Sequence, residues 1–142
     1  MKKYWYVQDW GTYGNETPVF VGYTIPEITK IMKKQDWSPK IIAEWCKDWD
    51  DRDNVFKDVA GGVWSCHGST LLYLPSWNGS WNNYETLMHE CFHLIIAGLG
   101  KGKLFINEGS IEEEGMAYQL EYLFRNIRIK LQKKLLDKKK KK

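Results

Sequence analysis

The chain has 142 residues, the length of one domain that can bury a core without disulfides or a structural metal. Its formal net charge is +3, but five consecutive lysines stand at 138–142, and without them the net charge is −2. The net negative charge of residues 1–137 excludes a basic nucleic-acid-binding surface on that part of the chain. We expect one domain over residues 1–136 and a disordered lysine tail over residues 137–142.

Cysteine usage and hydropathy bear on the cellular setting. The three cysteines, Cys46, Cys66 and Cys91, are odd in number and irregularly spaced, so they predict no disulfide framework. The first ten residues, MKKYWYVQDW, are typical of a strand and not of a signal peptide. No run reaches the roughly 18 apolar residues of a membrane span. We therefore expect a cytoplasmic protein, located in the host cytoplasm if the gene is carried by a phage.

The N-terminal part of the chain predicts a hairpin and two helices. Aromatic and β-branched runs at 3–10 and 17–25 flank a turn-rich segment, which indicates two antiparallel strands. A short helix is predicted over residues 26–34. A second helix is predicted from Ser38 as its N-cap and Pro39 as its first residue.

Two strands and two helices are predicted in the remaining sequence. GGVWSCHGSTLLYL indicates strands on both sides of a turn at 67–68. A helix is predicted from an N-cap at Asn82 to about Ala97, and a last long helix after Ser110, where Ser110 and Glu113 match a capping box. This order of elements predicts an α+β fold.

The first of these two helices carries the pattern H-E-x-x-H. His89 and His93 are one turn apart on one helix face, so both imidazoles can bind one metal ion. Glu90 flanks the pair and can take a proton from a water whose pKa zinc lowers to roughly 7. The alternative is a pair of structural core histidines, since the surrounding residues predict a helix that is apolar nearly all round and buried. Cys91 is expected to be a small core side chain.

The third ligand is left open by the pattern. No third histidine follows closely, so acidic residues are the main candidates: Glu108, Glu112, Glu113, Glu114 and Glu121. Glu112 and Glu113 also fit a solvated first helical turn. Helical periodicity favours Glu113, which shares a stripe with Ala117 and Leu120.

The H-E-C-F-H helix followed by EGMAYQLEY resembles the gluzincins, zinc peptidases that take a third ligand from a glutamate on a following helix. The resemblance implies a small zincin-like domain with a twisted antiparallel or mixed N-terminal sheet. Glu114, in E-G-M-A, matches the gluzincin ligand pattern and is our first choice, with Glu113 second and Glu108 third. Tyr118, four residues further on, is a candidate hydrogen-bond donor to a ligating group. STLLYL resembles the edge strand along which gluzincins bind substrate.

These residues predict a zinc-dependent metallopeptidase. His89, His93 and Glu114 bind Zn²⁺, and Glu90 is the general base. The expected partner is a protein or peptide substrate, with no specific nucleic acid and no membrane. The alternative is a catalytically silent protein on a zincin scaffold that acts as a regulator or binding module. A third hypothesis is a phage structural or assembly protein in which zinc serves stability.

Overall fold

The structure is a computed structural model that describes residues 3–11, 15–49, 61–67, 69–99 and 111–140, without the side chains of 49, 99, 111–114, 138 and 139. Within this part of the chain lie four strands and four helices. In chain order they are β1 Tyr4–Asp9, β2 Glu16–Val21, α1 Ile25–Lys34, α2 Pro39–Trp49, β3 Gly62–Cys66, β4 Ser69–Leu74, α3 Trp81–Leu99 and α4 Ile111–Lys139. The fold is α+β, as the order of the predicted elements indicated.

The four strands form one mixed sheet in the order β1-β2-β4-β3. The predicted β1-β2 hairpin and the antiparallel β3-β4 pair are confirmed, and β2 runs parallel to β4. β4, which contains STLLYL, lies inside the sheet and is buried along nearly its whole length. The interpretation of STLLYL as an edge strand is therefore wrong. The unbroken apolar run of β4 is typical of a strand that is covered on both faces. The edge strand next to β4 is β3.

Two helical layers cover the sheet, one on each face. Successive side chains of a strand point to opposite faces, so β4 contributes to both cores. Leu72 and Leu74 pack in the cluster that includes α3 and α4, whereas Leu71 and Tyr73 pack in the cluster with α1 and α2. Buried aromatic residues lie in both layers, with Trp10 on the α3 side and Trp45 on the side of α1 and α2.

The helix starts agree with the sequence in part. α2 begins at Pro39, as predicted. α3 begins two residues earlier than an N-cap at Asn82 requires. Its N-cap is Ser80, whose carbonyl oxygen accepts from the Tyr84 amide at 3.2 Å and whose hydroxyl oxygen accepts from the Asn83 amide at 3.3 Å. Ser110, the predicted N-cap of α4, lies outside the described residues.

The last helix extends further than the sequence indicated. α4 has 29 residues and ends at Lys139. Residues 137–139, which were predicted to belong to a disordered tail, are therefore helical in the structure. At 1.5 Å per residue this helix is about 43 Å long, and its core contacts come from Leu123, Ile127 and Leu131.

Candidate metal centre on helix α3

Helix α3 has a buried face and an exposed face. Leu87, Cys91, Leu94 and Ile95 are fully buried against the sheet and α4. The prediction that Cys91 is a core side chain is confirmed. The prediction of a buried helix that is apolar nearly all round holds for this face only, because Phe92 and other large apolar side chains of the helix are exposed. Buried residues spaced three and four apart fix the rotation of the helix about its axis.

His89 and His93 lie side by side on the exposed face of α3. Their Nε2 atoms are 3.0 Å apart, and the ring centroids are 4.6 Å apart with 78° between the ring planes. Since both imidazoles are exposed, the alternative of structural core histidines is wrong. The two Nε2 atoms are therefore within hydrogen-bond distance of each other on the exposed side of the helix.

The separation of the two nitrogens is close to what a shared zinc ion needs. With Zn–N bonds of about 2.0–2.1 Å and tetrahedral angles, two imidazole ligands place their nitrogens about 3.3 Å apart. The observed 3.0 Å is a few tenths of an ångström shorter. At this distance one Nε2–H donates to the other Nε2, which is the contact that a bound cation would replace. A small rotation of either side chain gives the ligand spacing.

Glu90 lies between the histidine pair and the core. It is 7% exposed, whereas the histidines on either side of it in the motif are exposed. Burial raises the pKa of the Glu90 carboxyl above its usual value, and positive charge on His89 and His93 opposes that rise. A carboxyl group with a raised pKa is a stronger base when ionised, which is what proton abstraction from water requires.

The edge strand β3 begins beside the Glu90 side chain. A Cβ atom at Gly61 would lie 2.9 Å from Thr86 Cγ2, 3.0 Å from Leu74 Cδ2 and 3.3 Å from Glu90 Cγ. A side chain at this position would therefore displace the neighbouring side chains. The contact places the start of edge strand β3 next to Glu90, a feature that was not predicted from the glycine pair at 61–62.

The third ligand cannot be assigned from the described side chains. Glu114 and Glu113 lie in the first turn of α4 with side chains outside the description, and Glu108 lies outside the described residues. Among the side chains that are described, no group of three or more His, Cys, Asp and Glu is placed to hold a metal ion. Tyr118 is 68% exposed, and no described hydrogen bond joins it to the histidine pair.

An exposed apolar ridge runs along α3 beside the histidines. Met88, Phe92 and Ile96 succeed one another at four-residue intervals, and each is exposed. Going around the helix, the order is ridge, histidine pair, Glu90 and core. The sequence analysis assigned these residues to the core, because composition alone does not give the rotation of a helix that is apolar on most sides. The i, i+4 spacing from Met88 to Ile96 was the available signal.

Comparisons with protein-family models, with curated proteins and with solved structures give no match. A search for membrane spans finds no helix in the described part of the chain that is long and apolar enough to cross a bilayer.

Proposed function

We propose that this protein is a zinc-dependent peptidase with a small zincin-like fold. The observation that carries the proposal is the convergence of His89 and His93 at 3.0 Å on an exposed helix face, with the buried carboxyl group of Glu90 next to them. The chemistry of this donor set suits zinc, which prefers neutral imidazole nitrogen and carboxylate oxygen. Glu114 is the proposed third ligand on the gluzincin pattern, with Glu113 as second choice.

Each residue has a separate task in the proposed reaction. When bound, zinc supplies Lewis acidity that makes a water molecule acidic and polarises a peptide carbonyl. Glu90 accepts the proton of the attacking water and returns it to the amine that leaves. Its side chain is 7% exposed and lies beside Gly61 at the start of β3. In the described part of the chain the histidine face of α3 is exposed, and this is the face on which a polypeptide would bind.

The decisive experiment compares metal content and hydrolysis in three proteins. The wild type should purify with zinc near one equivalent and cleave unstructured peptides in a chelator-sensitive manner. His93→Ala should lose both the metal and the activity. Glu90→Gln should keep the metal and lose about 10²–10⁴-fold in rate, because only the base is removed. Cleavage by Glu90→Gln at the wild-type rate would refute its role.

His67 provides a matched control for the histidine substitutions. It lies in the turn between β3 and β4 with a φ of 48°, a conformation that asparagine tolerates. His67→Asn should retain zinc and activity, since it removes an imidazole outside the proposed site. A wild-type protein that purifies without zinc and does not bind added zinc would overturn the proposal. Zinc binding without hydrolysis of any peptide would favour the silent regulator or a structural zinc instead.

The third ligand can be assigned by single glutamine substitutions at Glu108, Glu112, Glu113 and Glu114. Loss of one first-sphere carboxylate should weaken zinc binding far more than loss of a solvated carboxylate in the same helical turn. We expect the largest loss for Glu114→Gln. A larger loss for Glu113→Gln would assign the ligand to the residue that helical periodicity favours.

A further inference from the structure

The second half of α4 and the residues after it carry a large net positive charge. Residues 125–142 contain ten of the 21 Lys and Arg residues and one of the 18 Asp and Glu residues. This segment therefore carries +9, and the remainder of the chain carries −6 within the total of +3. The charge asymmetry is larger than the five lysines at 138–142 alone suggest, because half of the basic residues precede them.

Basic and large aliphatic side chains share the exposed face of this part of α4. Ile127 and Leu131 are fully buried and define the opposite face. The outward positions, which recur at three- and four-residue intervals, are Arg125, Ile129, Lys133, Leu136 and Lys140, all exposed. This face of α4 is called the basic–aliphatic face below. It extends about 22 Å along the helix at 1.5 Å per residue.

The two aliphatic residues distinguish this face from a merely solvated one. Ile129 is 52% exposed and Leu136 is 55% exposed, and they are seven residues apart, which places them two turns apart on the same line. Lys133 lies between them. An aliphatic line flanked by cations is the pattern of a helix that lies in a membrane interface, where the cations reach the headgroups.

Nucleic acid explains the charge but not the aliphatic residues. Phosphate contacts need cations alone, and single-stranded nucleic acid is held by stacking on aromatic rings. Residues 125–142 contain no Phe, Tyr or Trp. An anionic bilayer accounts for both components, since each Lys or Arg near the surface adds electrostatic attraction and each buried aliphatic group adds hydrophobic transfer.

We propose that the basic–aliphatic face of α4 binds the surface of an anionic lipid bilayer, with Ile129 and Leu136 entering the interface and Lys133 and Lys140 contacting lipid phosphates. The sequence predicted no membrane partner because it contains no span, but surface binding needs none. The negative charge of the remaining chain orients the molecule, since it directs the other surfaces away from the bilayer. The proposal does not depend on the peptidase function.

The test measures sedimentation of the full-length protein with vesicles of phosphatidylcholine alone and with vesicles that also contain phosphatidylglycerol. We expect binding to the anionic vesicles only, and a decrease with added salt. Lys133→Gln with Lys140→Gln should weaken binding at least about tenfold, because two cations are removed from the surface. Ile129→Ser with Leu136→Ser should also weaken it, since the aliphatic insertion is lost.

Lys30→Gln with Lys47→Gln is the matched control. Both lysines are exposed, on α1 and α2, so the pair changes the net charge equally but leaves α4 intact. It should bind as the wild type does, and circular dichroism should show that all variants are folded. No binding to anionic vesicles would overturn the proposal. So would equal binding to neutral vesicles, unchanged binding of the Ile129→Ser and Leu136→Ser variant, or tighter binding to duplex DNA than to vesicles.

Discussion

Gly98, near the end of α3, is in close contact with the buried indole of Trp10. A Cβ atom at Gly98 would lie 2.3 Å from Cη2, 2.9 Å from Cζ3 and 3.0 Å from Cζ2 of that ring. Trp10 is almost fully buried, and its Nε1–H donates to Thr17 Oγ1 at 2.8 Å. Thr17 in turn shares a 2.6 Å hydrogen bond with Thr70. The ring therefore cannot move away without breaking a buried hydrogen bond.

Gly98→Ala should for this reason destabilise the protein, although the same substitution at a solvent-exposed helix position is stabilising. Alanine gains up to about 1 kcal/mol over glycine inside a helix, and less near a helix end. Forcing one more carbon into a filled core costs roughly 1–3 kcal/mol, and if the ring moves away instead, the loss of its buried hydrogen bond costs a similar amount. We expect a net loss of about 1–2 kcal/mol in the free energy of unfolding, measured by urea denaturation.

A double-mutant cycle with Trp10→Phe separates the contact from other effects. The three ring atoms near Gly98 belong to the six-membered part of the indole that phenylalanine does not reach. Gly98→Ala should therefore be neutral or stabilising in the Trp10→Phe background, with a coupling of about 1–2 kcal/mol between the sites. The Trp10–Thr17 bond is absent from both proteins in the Trp10→Phe background, so its loss does not contribute to the effect of Gly98→Ala there. Equal effects of Gly98→Ala in the two backgrounds would refute the packing argument.

Three further predictions concern α1, β3 and the metal. The carboxylate of Glu27 accepts hydrogen bonds from Lys3 and from the Thr24 amide, which lowers the pKa of Glu27 from 4.5 to about 2. The stabilisation that these bonds give the protein is complete above about pH 4.5 and is lost as the pH falls toward 2. Glu27→Gln should thus cost a few tenths to about 1 kcal/mol at pH 7 and nothing near pH 2, as urea titrations at the two pH values would show. Gly62→Ala should cost about 1–3 kcal/mol in the same assay, because a Cβ there would lie 2.2 Å from the Tyr73 ring; no loss would mean that the ring can move. In a sample with free zinc at about 100 times the dissociation constant, chelation of the zinc should lower the free energy of unfolding by about 2.7 kcal/mol, or Tm by roughly 10 °C, as measured by calorimetry. The His93→Ala variant should show no such shift.

The order of the elements could be predicted from the sequence because each element has a local signal. Pro39 marks a helix start, and the residues around His67 mark a tight turn between two apolar runs. The placement of β4 inside the sheet could not be predicted. A continuous apolar strand indicates cover on both faces, but the β2-β4 parallel pairing depends on contacts between residues about 50 positions apart.

The juxtaposition of the two histidines could be predicted from the sequence, but the orientation of their helix could not. The i, i+4 spacing of His89 and His93 fixes their common face on any helix. Helix α3 has two apolar surfaces, one that contains Leu94 and one that contains Phe92. The sequence alone does not decide which of the two packs against the sheet. The structure buries the first surface, which also packs on α4, and leaves the second exposed. Average hydrophobicity does not decide such a competition, because both surfaces are apolar.

The rotation of α3 that exposes the histidines also determines that Glu90 is buried. Residue 90 is one helical position from His89, about 100° around the axis, so it can be buried while the histidine is exposed. Had the Phe92 side of α3 faced the sheet instead, the histidines would lie nearer the core and Glu90 in solvent. In the observed arrangement the histidine pair is exposed while the Glu90 side chain is buried beside Gly61. One rotation of α3 therefore accounts for both the exposed imidazoles and the buried carboxyl group on which the proposed function depends.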